Sequence, residues 1–373
     1  MKPSRQIAHR ALAALLMAAG LIGAAQADII IGQTAAITGP VAASVKEVTQ
    51  GASMYFDAVN AEGGVHGEKI KLVSMDDKFD PKLSAINAKV LIDKGATALF
   101  LTRGTPHTQA VLPLLTEYKI PLVAPSTGAM ILHKPVLPWV FNVRASYQRE
   151  AERAIEHLSL IGMTRIAIAQ VNDSFGDDAA QGALVGLAKT NKQAVSHVKF
   201  DRNKPEMESV VTTVLATQPQ AVLFIGTGAA VAEGMKAVRA KGSTAQLVTL
   251  SNNASSGFIK DLGDIGHGVI VSQIFPYERS IAKPLIKDAM EAARKTGVEL
   301  TPSMVEGYSS AKVLVEGLKR AGKQPTREGL RKALETISRF DLGGVEVGYS
   351  AADHSGMDYV DLAIVDQSGK FRR

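Results

Sequence analysis

Few residues in this chain stand at spacings that could make or break a bond. Gly226-Thr227-Gly228 closes an apolar, strand-like run and opens a helical one. In that setting a glycine turn can cradle a dinucleotide pyrophosphate, but position 231 is Val where the third glycine is required. No Gly-x-x-x-x-Gly-Lys-Ser/Thr phosphate loop occurs. Gly307-Tyr308-Ser309-Ser310-Ala311 has the form of a nucleophile elbow, yet it lies inside a helical pattern rather than at a strand-to-helix turn. It reads as a small-residue face for close helix packing. The adjacent carboxylates Asp76 and Asp77 could do acid–base work, but at the end of a strand and before a capped helix they read as groups that position the turn. The eight histidines are scattered without metal-ligand spacing, and His66 and His354, in glycine-flanked turns, read as solvated. No catalytic residue, metal or cofactor is therefore assigned. An exported enzyme is kept as the alternative class, which turnover of a bound ligand would reveal.

The elements that position these groups alternate. Strand-like runs begin at Ile29, Ile70, Thr97 and Ile120, and again at Arg165, Gln220, Leu247 and Val269. Helical spacing fills most of the intervals, which points to parallel sheets wrapped by helices. Asp80 caps a helix that has Pro81 at its first position and Gly95 just past its end. Late helices are expected over residues 281–296, 303–321 and 327–337, with a last strand over 359–365. In open α/β sheets, ligands meet the carboxyl ends of the strands, where helix N-termini offer free N–H groups. Here those loops cover residues 35–44, 103–108, 125–129, 172–176, 226–229 and 251–255, and they are rich in Thr, Ser, Gly, Asn and Asp. Such groups hydrogen-bond a small polar ligand but supply no nucleophile with a base.

The first residues say where this chemistry takes place. Lys2, Arg5 and Arg10 precede an apolar run over residues 11–25, and Ala25-Gln26-Ala27 has the small-x-small form of a signal-peptidase site. The run is shorter than the roughly 20 residues needed to cross a bilayer. The reading is a signal peptide over residues 1–27, cleavage after Ala27 and a periplasmic mature chain without membrane insertion. With no cysteine there is neither a lipid-attachment residue nor a disulfide framework. The net charge of +6 is spread along the chain and aromatics make up only 5%, so neither a basic stripe nor a stacking platform for nucleic acid is present.

Taken in order, the motifs resemble the type I periplasmic solute-binding proteins of the branched-chain amino acid (Leu/Ile/Val) ABC importers. The likeness runs over essentially the whole mature chain. It is carried by Thr38-Gly39-Pro40, Gly51-Ala52, Asn60-Ala61-Glu62-Gly63-Gly64-Val65-His66-Gly67, and Asp76-Asp77 with Asp80-Pro81. Ile120-Pro121 with Pro125-Ser126, Phe141-Asn142-Val143-Arg144, Asp173-Ser174-Phe175-Gly176 and Glu306-Gly307-Tyr308 continue it. The resemblance implies an α/β fold of two Rossmann-like lobes with parallel-sheet cores joined by a three-stranded hinge. Residues 28–146 and 276–349 would form lobe one, and residues 147–275 and 350–373 lobe two. The chain would act as a monomer that closes on a small solute and presents it to an inner-membrane permease. A sensory role, in which the closed form meets a receptor instead, is the competing reading.

The resemblance also implies a site. Ligand carboxylate would meet Thr105, then Ser126, Thr127 and Gly128, hydroxyls and N–H groups at helix N-termini that need no buried cation. Phe175 takes the place of a second-lobe aromatic, with Asp173 beside it. Ser44 stands where an aromatic is often found, and it joins Thr227, in the loop over residues 226–229, and Asn252 as a further candidate contact. The acidic partner of an α-ammonium would fall near Ser251-Asn252-Asn253, where no acid stands. Asp173 or Asn252 would have to serve, and a carboxylate without an amino group, such as an aromatic or short organic acid, competes with an amino acid for the site.

Overall fold

The computed structural model describes residues 28–373; the leader reading lies outside them. The first sheet consists of β1 (Ile29–Ala35), β2 (Ile70–Asp76), β3 (Ala98–Phe100), β4 (Leu122–Val123) and β5 (Val140–Phe141), in the order β2-β1-β3-β4-β5. All its pairings are parallel, so each strand is reached through a crossover. α1 (Ala42–Ala61), α2 (Pro81–Asp93) and α3 (Thr105–Glu117) make the first three crossovers, and a segment with one 3-10 turn (Met130–Leu132) makes the fourth. The expected cap is present: Asp80 accepts from the Lys82 N–H, and Gly95 follows at φ +85°.

Then come α4 (Tyr147–Leu160), β6 (Ile166–Val171), α5 (Ser174–Lys189), β7 (Ser196–Phe200), α6 (Met207–Ala216) and β8 (Ala221–Ile225). α7 (Gly228–Ala240), β9 (Gln246–Thr249), α8 (Ser256–Leu262) and β10 (Ile270–Gln273) complete the second lobe's parallel portion. β6 and β8 are buried along their whole length, as strands covered on both faces must be. β7 alternates half-buried and exposed residues at the sheet edge, with only Phe200 buried, and that weak apolar signal hid it from the sequence reading.

The chain returns to lobe one for α9 (Pro284–Lys295), α10 (Pro302–Ala321) and α11 (Arg327–Glu335). β11 (Phe340–Asp341), β12 (Glu346–Ser350) and β13 (Asp353–Gly356) form a small antiparallel sheet. β14 (Asp361–Val365) and β15 (Phe371–Arg372) then add antiparallel strands to the second sheet, whose order is β15-β14-β10-β9-β8-β6-β7. The third crossing thus falls between Gly356 and Asp361, later than the boundary at 349–350 expected from sequence. The reason is that β13 turns back onto β12, and the His354 carbonyl accepts from the Asn142 N–H at 2.9 Å beside the first crossing. His354 is correspondingly not solvated: it is 2% exposed and stacks on Phe141 with ring centres 4.0 Å apart.

The small-residue face in α10 packs as its sequence suggests. A β-carbon on Gly307 would lie 1.8 Å from the Val48 carbonyl oxygen, and one on Gly51 would lie 2.0 Å from that of Met304. The backbones of α1 and α10 therefore touch, and only glycine allows this.

Glu278 lies on the second crossing, 5% exposed, with its Oε2 unpaired. Burial pushes its carboxyl up from 4.5 to about 7. The folded state therefore holds this proton more tightly than the unfolded state does. This contribution to stability is full below 4.5 and is lost as pH rises through about 7. Glu278→Gln should remove the decline, making the protein about 1–3 kcal/mol more stable at pH 8 and little changed at pH 4, as read by denaturant melts at both pH values.

Candidate functional site

The two lobes face each other across the carboxyl ends of their parallel strands, and they touch. Glu47 on α1 accepts from the Ser256 N–H (3.0 Å) at the start of α8 and from the Thr301 hydroxyl (2.7 Å). Ser174 on α5 donates to Gln109 on α3 at 2.6 Å, and Asp178 accepts from the Met130 N–H at 3.0 Å.

At the centre lies a group the sequence reading missed. Arg103, in the turn between β3 and α3, is only 5% exposed. Its Nη1 donates to Ser126 Oγ (2.8 Å), and its Nη2 donates to Ser44 Oγ (3.1 Å) and, across the cleft, to the Asn252 carbonyl (2.7 Å). Three of the predicted residues are thus brought together, around a cation that was not predicted. Ser126 Oγ in turn donates to Glu306 Oε1 at 2.8 Å. Thr105 and Thr127 are bonded to each other through their hydroxyls at 2.7 Å beside the N-terminus of α3. The expectation that this site needs no buried cation is corrected: a guanidinium sits among its hydroxyls.

Beneath it, Arg144 from the first crossing pairs with Glu150 on α4 and donates to Ser251 Oγ at 2.8 Å. Glu306 lies 3.6 Å from the same guanidinium. Glu150 also accepts from the Ser251 N–H (2.9 Å) and the Ser272 hydroxyl (2.5 Å), which ties β10 and the turn after β9 to α4. Arg144 stacks over Tyr147 at 4.6 Å, and the Phe175 ring packs against Tyr147, tilted, with centres 4.7 Å apart. Phe175 therefore contributes to the aromatic floor of the cleft.

Asp173 has two tasks already. It caps α5, accepting from the N–H groups of Phe175 (2.9 Å) and Gly176 (3.2 Å), and it pairs with Arg202. Arg202 lies over the Phe79 ring at 5.0 Å, and Phe79 stacks on His107 at 4.2 Å, so a second-lobe guanidinium rests on a first-lobe aromatic pair. Burial holds the His107 imidazole below its usual range. Asp76 and Asp77 do position the preceding turn: Asp76 accepts from the Ile37 and Lys78 N–H groups at 2.9 Å, and Asp77 accepts from the Phe79 N–H at the same distance.

Gly128 is needed for contact with the chain rather than with solvent. A β-carbon there would lie 2.6 Å from the Ala145 carbonyl oxygen, and its own carbonyl accepts from the Tyr147 N–H at 2.7 Å. Thr227 stands at the N-cap of α7 without a side-chain capping bond, next to Gly226, whose carbonyl accepts from the Asn252 side chain at 2.9 Å. It belongs to the second-lobe wall but not to the group around Arg103. Among the described residues, no cluster of His, Cys, Asp and Glu could hold a metal ion, and no helix is long and apolar enough to cross a membrane.

A family model described as periplasmic binding protein matches residues 28–370. The chain is 25% identical over 320 residues to "Leu/Ile/Val-binding protein homolog 3" of Brucella melitensis, covering 84% of this chain and 85% of that one. It is 23% identical over 269 residues to the Leu/Ile/Val-binding protein of Escherichia coli, covering 72% and 73%. Among solved structures, a substrate-binding periplasmic protein from Ralstonia solanacearum superposes with a TM-score of 0.86 at 32% identity, covering 92% of this chain and 99% of that one. A possible leucine/isoleucine/valine-binding protein from Rhodopirellula baltica gives a TM-score of 0.88 at 25% identity, covering 93% and 96%.

Proposed function

The chain belongs to the periplasmic binding protein family, type I and of the Leu/Ile/Val-binding kind, and on that premise we propose that it captures a small carboxylate-bearing solute between its lobes and delivers it to an ABC importer. The observation that supports this is the polar group at the cleft centre. Arg103 bridges Ser44 and Ser126 of lobe one to Asn252 of lobe two, and the Thr105–Thr127 hydroxyl pair stands at the start of α3 in the turns that follow the same strands. Hydroxyls, a guanidinium and the N-terminus of α3 all favour negative charge, whereas no side chain there is arranged to attack a bond. The proposed site comprises Ser44, Thr105, Ser126, Thr127 and Asn252, with Phe175 below and Thr227 on the rim.

Closure has a physical basis in the same residues. A solute held by both lobes stabilises the closed state by its differential contacts, and the crossings absorb the rotation. The permease then distinguishes closed from open. We place cleavage of the leader after Ala27 and function in the periplasm as a monomer.

Thermal melts of the mature chain against apolar amino acids and simple carboxylates test the reading, since a ligand that binds only the folded state must raise its stability. At least one carboxylate should raise the melting temperature in a saturable manner; a flat response across the panel would refute the proposal. Thr105→Ala should weaken the binding of that ligand by about 1–3 kcal/mol in calorimetry, because it removes one hydroxyl and leaves Thr127 without its partner.

A further inference from the structure

The cleft is unbalanced in one respect. Most of its other buried or half-buried charges have counter-charges or dense hydrogen bonding: Arg144 has Glu150 and Glu306, Asp173 has Arg202, and Glu47 has the Ser256 N–H and the Thr301 hydroxyl. Arg103 is as deeply buried, yet among the described residues it makes no ion pair; its partners are two hydroxyls and a peptide carbonyl. A charge removed from water without a partner of opposite sign is costly, so this position favours an anion that brings one.

The same inventory shows what the cleft does not offer. An ammonium needs a carboxylate or several acceptors, and the acids around Arg103, Arg144 and Arg202 are committed; Asp178, at the Met130 contact, bonds the Met130 N–H and Gln148 through one oxygen and leaves the other without a partner. Glu306 receives Ser126 and faces Arg144. Glu150 receives Arg144, Ser251 and Ser272. Asp173 receives Arg202 and caps α5. The turn after β9 supplies only Ser251, Asn252 and Asn253. Its one buried acceptor without a partner is Asn252 Oδ1, a neutral amide oxygen suited to a hydroxyl or an uncharged N–H rather than to a full positive charge.

We infer that Arg103 is the residue that selects the solute, and that the solute is a carboxylate without an ammonium group. This rests on the interlobe site proposed above and narrows its ligand class. The incoming carboxylate replaces the Asn252 carbonyl as the acceptor for Arg103 Nη2, while Ser126 and Ser44 keep the guanidinium in place. Asn252 is thereby released to face the ligand from the second lobe. Guanidinium and carboxylate match in shape as well as charge, which a lysine at position 103 would not reproduce.

The test uses matched pairs on the mature protein by titration calorimetry: leucine against 4-methylpentanoate, and phenylalanine against 3-phenylpropanoate. Within at least one pair the amino-free acid should bind at least ~10-fold more tightly, and Arg103→Met should weaken that acid on the order of 100-fold, with Arg103→Lys between the two. The wild-type comparison stands even if Arg103→Met does not fold. The inference is overturned if in neither pair the amino-free acid binds at least ~10-fold more tightly than its amino acid, or if a natively melting Arg103→Met variant keeps full affinity. In those cases an amino acid still bound by the cleft, and weakened by Thr105→Ala, leaves the solute-carrier reading intact. Failure of all four compounds overturns the inference, and a further flat response across the wider carboxylate panel refutes the carrier reading as well.

Discussion

Arg144→Met should cost about 3–5 kcal/mol of folding stability, the range found when one partner of a buried ion pair is removed. Arg144 is 2% exposed and Glu150 fully buried. The guanidinium answers two carboxylates, Glu150 in direct contact and Glu306 at 3.6 Å. Removing it leaves both buried without their counter-charge, with only hydroxyls and one N–H to compensate. Denaturant unfolding followed by far-UV circular dichroism measures the loss. Glu150→Gln is the informative companion, because an amide can still accept from the Ser251 N–H and Ser272 hydroxyl. It should therefore cost clearly less than Arg144→Met. Equal losses would show that geometry at Glu150, and not unpaired charge, dominates. Since Glu150 links the first crossing to β10, either variant should also loosen the interlobe floor on which Tyr147 and Phe175 pack.

Gly307→Ala should be of similar severity, at about 3 kcal/mol, at or beyond the top of the usual overpacking range. The obstacle to the new methyl is the Val48 carbonyl at 1.8 Å, and backbone cannot rotate aside as a flexible side chain can. α1 and α10 would have to separate, opening the contact that also carries Gly51 against Met304. Gly228→Ala provides the control: a β-carbon there meets nothing nearer than 3.5 Å, and the position is helical. It should be neutral or stabilising by up to about 1 kcal/mol through a less flexible unfolded chain. A Gly307→Ala protein as stable as the parent would mean that the helices are not held at this spacing.

Much of the architecture was legible because it is local. Buried parallel strands read as short apolar runs, helices as apolar spacing between caps, and the Asp80-Pro81 start of α2 follows directly from capping chemistry. β7 and the small β11-β12-β13 sheet escaped notice because edge and hairpin strands carry few apolar residues. Without β13 in view, the third crossing was set too early.

The site divides in the same way. Hydroxyl residues at the ends of strands could be found from the strands themselves, and Ser126, Thr105 and Thr127 are where that rule puts them. Arg103 stood in one of the loops singled out, but a charged loop residue reads by default as solvated. Nothing within its own loop buries it.

The alternation of apolar runs and caps, by itself, determined that this chain forms two α/β lobes with small polar residues at their strand ends, since each of those features arises from neighbours a few residues apart. Only the tertiary structure decided which charges the lobes enclose. Arg103 meets Asn252 from 149 positions away and Ser44 from 59, while Glu306 reaches Ser126 from 180. Burial and pairing of a charge depend on what the rest of the fold brings to it, and a linear pattern does not carry that information.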